Sequence, residues 1–241
     1  MNDFYSRTYR IFGDDISRII SAKVCVIGLG GVGGSATEAL ARAGIGTLVL
    51  FDGDYVVESN LNRQAFAFRS TLGMTKCDAA AKILRDINPD INLELYPRFW
   101  TCTDEDISAL SGCDFILDCA DSVKDKVNLI CKAHELNIPI ISAMGAGNKL
   151  NPAGFKVSDI SKTTVDPLAR VVRRELKSRG ITHTLTVYSE ETPVEPFSSD
   201  TSEVQSDYVK RNAPGSLSYV PTSMGLIMAG EAVNRIASGA L

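Results

Sequence analysis

Short apolar runs alternate with polar or amphipathic stretches along this chain, and the most informative alternation lies near its start. An apolar run over 24–27 leads into a glycine cluster and an alanine-rich stretch. A second apolar run, 48–51, then ends in Asp52. Short apolar runs bounded by turn residues are typical of buried strands, and an alanine-rich stretch favours a helix. The pattern therefore predicts strand, glycine turn, helix, strand and acid, in that order.

The same alternation continues through the first 150 residues. It predicts strands at 93–96, 115–118 and 139–142, with helices over about 75–87 and 123–136. The first of these helices ends at Asn88-Pro89, because proline cannot continue it. Residues 3–20 predict a short helical arm ahead of the first strand. Strands that alternate with helices predict an α/β fold with a doubly wound, Rossmann-like, mainly parallel sheet.

The pattern changes beyond residue 150. Short extended runs at 155–157 and 185–188 flank a helix predicted over 166–177, and residues 189–216 are polar, acidic and proline-containing. We interpret 189–216 as a mobile loop and the apolar stretch 224–236 as a C-terminal helix. We expect a single domain over 1–241. It would comprise a nucleotide-binding core at 1–150 and a substrate-facing extension, with C-terminal strands and helix, at 151–241.

Composition narrows the classes of protein. The chain has 241 residues, 44% of them hydrophobic, and a formal net charge of −4. No run of about 18 apolar residues is present and the N-terminus lacks an apolar signal region, so we expect no membrane span and a cytoplasmic location. The six cysteines never form a C-x-x-C pair, which argues against a structural zinc site. The negative net charge gives no overall positive field that would attract nucleic acid, but it does not exclude a local positive patch.

The glycine cluster indicates phosphate binding. Glycine lets backbone N–H groups approach a phosphate closely, and the next helix turns its positive end toward it. Asp52 lies 24 positions after Gly28, close to the spacing of about 20 that places an acid on a ribose. A tight turn without a ligand is the alternative for a lone glycine triplet. The predicted phosphate-binding glycines are Gly28, Gly30, Gly31 and Gly33.

Polar and cationic residues follow the second and fourth predicted strands. They exceed what a dinucleotide needs and suit a triphosphate. A carboxylate after the fourth strand, Asp121, suits Mg²⁺ bound with ATP, although it could instead cap the helix that follows. Each of these residues taken singly could also be surface decoration. The residues added to the candidate site are Asp54, Asn60, Arg63, Gln64, Lys76 and Asp121.

The helix predicted over 166–177 carries positive charges at helical spacing. Positions i, i+3, i+4 and i+7 share one face of a helix. A solvated surface face and a contact with nucleic-acid phosphates are both compatible with this stripe. The four residues are Arg170, Arg173, Arg174 and Lys177.

Five motifs in order resemble the ThiF/MoeB superfamily, which is related to ubiquitin-activating enzymes, over about residues 4–160. The resemblance implies ATP-dependent adenylation of a carboxylate, with Asp52 at the ribose, Arg63 and Lys76 at the phosphates, Asp121 at Mg²⁺, and Arg7 reaching the partner's site in a homodimer. Asp121, Arg63 and Arg7 are thus the implied catalytic residues. The motifs are Gly28-x-Gly30-Gly31-Val32-Gly33, Asp52-Gly53-Asp54, Ser59-Asn60-Leu61-Asn62-Arg63-Gln64, Gly73-Met74-Thr75-Lys76 and Asp118-Cys119-Ala120-Asp121.

Within that superfamily, five stretches look most similar to the tRNA threonylcarbamoyladenosine dehydratase branch. They are Ser6-Arg7-Thr8, Asn88-Pro89, Ala120-Asp121-Ser122, Gly145-Ala146-Gly147 and the helix start at Asp166-Pro167-Leu168. This implies a tRNA substrate whose N6-threonylcarbamoyladenosine carboxylate is adenylated before loss of water closes a ring. Adenylation of a ubiquitin-like sulfur-carrier protein's C-terminus is the alternative, and a nucleotide-binding subunit without chemistry is the third hypothesis. A sulfur-transfer protein also stays open as a partner. Some relatives carry a cysteine where this chain has Asn212-Ala213-Pro214-Gly215-Ser216, which argues against a thioester there.

Overall fold

The computed structural model describes residues 3–195 and 214–240. Within this part of the chain, seven strands form one sheet and eight α-helices surround it. The strands are Lys23–Ile27 (β1), Thr47–Phe51 (β2), Asn92–Tyr96 (β3), Phe115–Asp118 (β4), Ile140–Ala143 (β5), Phe155–Asp159 (β6) and Leu185–Ser189 (β7). The helices are Ser6–Phe12 (α1), Ile16–Ser21 (α2), Gly31–Ala43 (α3), Lys76–Ile87 (α4), Asp104–Ala109 (α5), Val123–Glu135 (α6), Pro167–Ser178 (α7) and Tyr219–Ser238 (α8).

The strand order is β3-β2-β1-β4-β5-β7-β6. All neighbouring pairs are parallel except β6 and β7, so a single antiparallel strand closes one edge. The doubly wound, Rossmann-like, mainly parallel fold predicted from the sequence is confirmed. The strands of the C-terminal extension continue the sheet of the nucleotide-binding core, because β7 pairs directly with β5.

Apolar side chains pack on both faces of the sheet. In β1, Val24 and Val26 point into a core shared with α3, α4 and α8, whereas Cys25 and Ile27 point into a second core with α5, α6 and α7. Successive side chains of a strand face opposite sides, so a strand covered by helices on both sides must be apolar throughout. This explains why β1 reads as a continuous apolar run rather than an alternating one.

Helix α8 packs tightly against α3, the helix that follows the glycine turn. A Cβ built on Gly225 would lie 2.3 Å from the carbonyl oxygen of Val32, so the two helix backbones approach more closely than a side chain would permit. Gly225 therefore serves the close packing of α8 on α3. Gly230 has no atom within 4 Å of its built Cβ and does not share this role.

The predicted elements agree with the structure to within a residue or two, with two exceptions. The C-terminal helix begins at Tyr219, ahead of Pro221, and α5 was not predicted. Much of the loop expected over 189–216 lies outside the described residues, as does the Asn212–Ala213 part of the motif that argued against a thioester. Among residues 3–195 and 214–240, no helix has the length and apolar character to cross a membrane.

Candidate active site

The candidate site lies where the carboxyl ends of β1, β2 and β4 meet. From β1 the chain builds one half of the sheet outward through β2 and β3, and it returns to the other side of β1 with β4. In open parallel sheets, ligands bind at such a switch point, outside the carboxyl ends of the strands. The predicted glycine turn follows β1 at this point, and the predicted acids follow β2 and β4.

The glycine turn is shaped by close backbone contacts. Gly28 has a φ of +91°, and a Cβ there would lie 2.7 Å from the carbonyl oxygen of Cys119. A Cβ on Gly33 would lie only 1.8 Å from the carbonyl oxygen of Gly28. Gly30, by contrast, has no atom within 4 Å of its built Cβ. Gly28 and Gly33 thus make the turn possible, while Gly30, just before the N-terminus of α3, leaves room for a phosphate.

Asp52 connects the end of β2 to this turn. Its carboxylate is buried and accepts hydrogen bonds from the backbone N–H of Leu29 at 2.7 Å and of Asp54 at 2.8 Å. Lys76 Nζ lies 3.4 Å from Asp52 and 2.8 Å from the more exposed carboxylate of Asp54. Burial raises the pKa of Asp52, and the charge of Lys76 partly offsets that rise. The structure therefore assembles three of the predicted site residues into one hydrogen-bonded group.

The residues of the polar stretch 59–64 differ in position: one is buried and supports a local turn, and others lie beside the glycine turn. Asn60 is buried, and its side-chain oxygen accepts from the backbone N–H of Val57 at 3.2 Å, so this amide supports the local turn. Arg63 donates to the carbonyl of Ser59 at 2.7 Å, and its own carbonyl lies against Gly31. Gln64 is half-buried beside it. Arg63 and Gln64 thus lie next to the glycine turn, whereas Asn60 holds the segment in shape.

Asp121 lies exposed just beyond the end of β4. The N-cap of α6 is Ser122, whose hydroxyl accepts from the backbone N–H of Asp125 at 3.4 Å. The capping role considered for Asp121 therefore belongs to its neighbour. Mg²⁺ characteristically takes one or two carboxylates together with substrate phosphates and water, and Asp121 suits that arrangement. Within the described residues, no three His, Cys, Asp or Glu side chains gather as a metal cluster.

Two buried ion pairs near this edge were not predicted. Lys126 and Asp118 are fully buried, with Nζ 2.8 Å from the carboxylate, and Ser142 bonds to both. Lys149 and Asp166 pair at 3.0 Å, also buried. One signal for Lys126 exists in the sequence, because its position belongs to the apolar face of α6. Asp166 caps α7, which a sequence pattern does reveal, but its pairing across the fold does not follow from spacing.

Cys119 is the thiol nearest the glycine turn, with its Cβ 3.0 Å from the position of a Cβ on Gly33. Burial raises the pKa of Cys119 to about 12. A thiol acts as a nucleophile through its thiolate, so this cysteine is poorly suited to a covalent step.

Arg7 and the basic helix lie away from the glycine turn. Arg7 is exposed on α1 and follows Tyr5, whose ring covers Gly44 at the far end of α3. On α7, Arg170, Arg174 and Lys177 are exposed. Arg173 differs from the predicted stripe, because its guanidinium donates to the carbonyl of Thr163 at 2.8 Å and to its hydroxyl at 2.6 Å.

The sequence profile of the ThiF family matches residues 5–239, nearly the whole chain. The chain belongs to the ThiF family. The chain is also similar to a tRNA threonylcarbamoyladenosine dehydratase of Bacillus subtilis, to which it is 36% identical over 238 residues, covering 97% of this chain and 94% of that protein.

A solved structure agrees with the fold described here. The crystal structure of Escherichia coli tRNA N6-threonylcarbamoyladenosine dehydratase (TcdA) in complex with ATP superposes with a TM-score of 0.85 at 31% identity, covering 98% of this chain and 94% of that one.

UBA4 of Saccharomyces cerevisiae, an adenylyltransferase and sulfurtransferase, is 38% identical over 133 residues, which cover 55% of this chain and 30% of that protein. The resemblance to the dehydratases therefore extends over far more of the chain.

Proposed function

We propose that this protein is an ATP-dependent tRNA threonylcarbamoyladenosine dehydratase. It would adenylate the carboxylate of N6-threonylcarbamoyladenosine in tRNA and allow a ring to close with loss of water. The observation that carries this proposal is the similarity to such dehydratases along 97% of the chain, combined with an intact phosphate turn and acid set at the switch point. A tRNA-modifying role would place the protein in the cytoplasm.

The site residues divide the work of the first step. The glycine turn and the positive end of α3 would hold the phosphates of ATP, and Asp52 would accept from the ribose. Lys76 and Arg63 would balance phosphate charge. Asp121 would hold Mg²⁺, which supplies charge stabilisation at the phosphates when bound. These are the roles that the positions of the residues around the turn support.

The chemistry needs no protein nucleophile. An oxygen of the substrate carboxylate attacks the α-phosphorus, and the bond from that phosphorus to the bridging oxygen breaks, releasing pyrophosphate. A nucleophilic atom of the neighbouring carbamoyl group then attacks the activated carbonyl carbon. AMP leaves with the former carboxylate oxygen, and the attacking group loses a proton. The high pKa of Cys119 is consistent with this route, because no thioester is required.

Pyrophosphate release tests the proposal against its alternative. We expect release with RNA that carries threonylcarbamoyladenosine, and none with unmodified RNA or with a ubiquitin-like sulfur carrier. Release with the carrier alone would establish the alternative function and a sulfur-transfer partner. Asp121→Asn should remove most of the activity with RNA while the fold is kept, whereas Asp90→Asn, an exposed acid before β3, should not. An equal rate in Asp121→Asn would exclude its role at the metal.

A homodimer with Arg7 in the partner's site is part of this proposal. The first turn of the arm is anchored at the far end of the 13-residue α3, about 20 Å from the glycine turn, which favours a role in the other subunit. Two apolar side chains are exposed nearby, as suits a subunit interface: Ile11 on α1 is 79% exposed and Leu226 on α8 is 51% exposed. Mixed Arg7→Ala and Asp121→Asn subunits should regain activity. No recovery despite proven exchange would place both residues in one chain's site.

The exposed face of α7 is proposed to contact tRNA phosphates. The residues that carry this role are Arg170, Arg174 and Lys177, because the guanidinium of Arg173 is held by Thr163. Arg174 pairs with Glu175 at 3.2 Å, but its side chain stays exposed. Glutamine at Arg170 and Arg174 should weaken RNA binding and flatten its salt dependence by roughly one to two units, with ATP affinity unchanged. Glutamine at Lys82 and Arg85, exposed on α4, is the matched control. An unchanged slope would leave α7 as a solvated face.

A further inference from the structure

Phe99 is an exposed aromatic side chain beside the acid that ends β2. It is 60% exposed and lies in the loop that follows β3. A Cβ built on Gly53 would lie 2.7 to 2.9 Å from three carbon atoms of the Phe99 ring. Gly53 directly follows Asp52, so the ring covers the backbone next to the carboxylate proposed for the ribose. The missing side chain at residue 53 is what lets the ring lie so close.

The loop around Phe99 is anchored on both sides of this residue. The carboxylate of Asp106 is fully buried, and it accepts from the Arg98 guanidinium and from the backbone N–H of Thr101 at 2.8 Å. Trp100 is buried in the core, with 2% of its surface exposed. A single exposed apolar side chain is ordinary on a protein surface. This one is held between fixed neighbours, so it offers a ligand an apolar surface that needs little further ordering.

The order of the strands places Phe99 on the base side of a nucleotide. The glycine turn follows β1, Asp52 follows β2 and Phe99 follows β3, and these three strands are neighbours in the sheet. Adjacent strands lie about 4.8 Å apart. A nucleotide with its phosphates at the turn and its ribose at Asp52 extends its base away from the phosphates, because the two are attached to opposite ends of the sugar. A base that continues in this direction would meet the Phe99 ring.

We propose that Phe99 packs its ring against the adenine base of bound ATP and so positions the nucleotide. This inference rests on the proposed function and deepens it. Stacking on an aromatic ring uses the π-face of the base, which is apolar and otherwise in water. With the base held at Phe99 and the ribose at Asp52, the nucleotide is fixed at two points on one side of the α-phosphate.

Calorimetric titration with two ligands tests the contact. One ligand is ATP with Mg²⁺, and the other is ribose 5′-triphosphate with Mg²⁺, which has the same sugar and phosphates but no base. Phe99→Ala should bind ATP about ten-fold or more weakly than the wild type does, and it should bind ribose 5′-triphosphate equally well. Phe99→Tyr keeps an aromatic ring and should retain wild-type ATP affinity. Phe68→Ala removes another exposed aromatic ring and is the matched control, with no change expected.

Gly53→Ala tests the same contact without removing the ring. The three atoms nearest to its built Cβ all belong to Phe99, so the added methyl group should displace the ring. Gly53 does not have a positive φ, so alanine adds no backbone strain there. Gly53→Ala should therefore weaken ATP binding in the wild-type background and cause no further loss in Phe99→Ala. Residues in contact show this kind of non-additivity, whereas independent residues do not.

Three results would overturn the inference while the proposed function stands. They are wild-type ATP affinity in Phe99→Ala, an equal loss of both ligands in that variant, and additive losses for Gly53→Ala and Phe99→Ala. Circular dichroism of each variant shows whether it is folded, and the ATP measurements on the two single variants and the double variant decide the question by themselves. A folded wild-type protein that binds no ATP would overturn the proposed function, and the inference with it.

Discussion

Two lysine–aspartate pairs at the same edge of the sheet behave differently. Lys126 and Asp118 are both fully buried, 2.8 Å apart, and Ser142 satisfies them further. Lys76 lies 3.4 Å from buried Asp52 but also 2.8 Å from Asp54, whose side chain is 56% exposed. The first pair is closed to ligands and belongs to the fold. The second is open on one side, and that opening is what makes it suitable for a nucleotide.

The largest effect on stability is expected at the closed pair. Lys126→Met leaves the Asp118 carboxylate buried without its cation, which should lower the free energy of unfolding by about 3–5 kcal/mol. Urea denaturation followed by circular dichroism measures this change. Lys124→Met, exposed two residues earlier on α6, is the matched control and should be nearly neutral. A loss below about 1 kcal/mol in Lys126→Met would show that water reaches Asp118 and that the pair is not closed.

A smaller loss of stability, joined by a loss of ATP binding, is expected at the open pair. Lys76→Met should cost about 1.5–3 kcal/mol, because Asp52 keeps two backbone donors and Asp54 reaches water. ATP should bind about ten-fold or more weakly, since a cation at the phosphates is lost. Calorimetric titration measures the affinity, and Lys82→Met, exposed on the same helix, is the control. Wild-type ATP affinity in Lys76→Met would exclude a phosphate contact.

The stability of Lys76→Met should also depend on pH. Burial raises the pKa of Asp52 above its usual value, and Lys76 opposes that rise, so the variant should raise the pKa of Asp52 further. An acid whose pKa is raised on folding stabilises the folded state below its unfolded pKa, and this stabilisation is lost as pH rises through the folded pKa. The deficit of the variant should therefore shrink as pH falls from neutral toward 4, in melts at stepped pH. A constant deficit would mean that Lys76 does not act on Asp52.

The smallest effect on stability is expected at an exposed ion pair between Lys156 and Glu190. Lys156 lies on β6, the last strand in the sheet order, and Glu190 follows its neighbour β7. Hydrogen bonds from Lys156 and then Tyr188 lower the pKa of Glu190. Lys156→Gln should raise that pKa toward its usual value in an NMR titration, with little change in Tm at neutral pH. Glu190 contributes to the stability of the folded state above the ordinary glutamate pKa, and this contribution is lost as pH falls through the lowered pKa. A Tm loss as large as that of Lys126→Met would contradict the ranking by burial.

The sequence predicts the site residues that local chain order places, and it does not predict contacts that the tertiary fold creates. Gly28, Asp52 and Lys76 follow from local order, because a turn, an acid and a helix start must occupy fixed places after parallel strands. The ion pair of Lys126 does not follow, although the residue lies on the apolar face of α6. A lysine in a helix is ordinarily solvated, and this pair depends on Asp118 of β4 and Ser142 of β5. Spacing put Arg173 on a shared basic face, but the contact with Thr163 that holds its guanidinium comes from the tertiary fold.

The residue type also does not predict every structural role or backbone conformation. Asn60 is predicted to bind nucleotide because of its polar character. Its side-chain oxygen also accepts from the backbone N–H of Val57, a structural contact that the residue type alone does not reveal. The positive φ of Val165 has no sequence signal at all, since valine is among the residues least expected there. Tertiary contacts hold its neighbours instead: the Asp166 carboxylate accepts from the backbone N–H of Gly145, and Arg173 donates to the carbonyl of Thr163.

The measurement that tests the central claim most directly is the mass of the modified nucleoside after incubation of the protein with ATP and RNA bearing threonylcarbamoyladenosine. The account predicts that the nucleoside loses one water, that one AMP and one pyrophosphate form for each event, and that nothing happens without ATP. An unchanged nucleoside in the presence of ATP, with the protein shown to be folded and able to bind ATP, would contradict it.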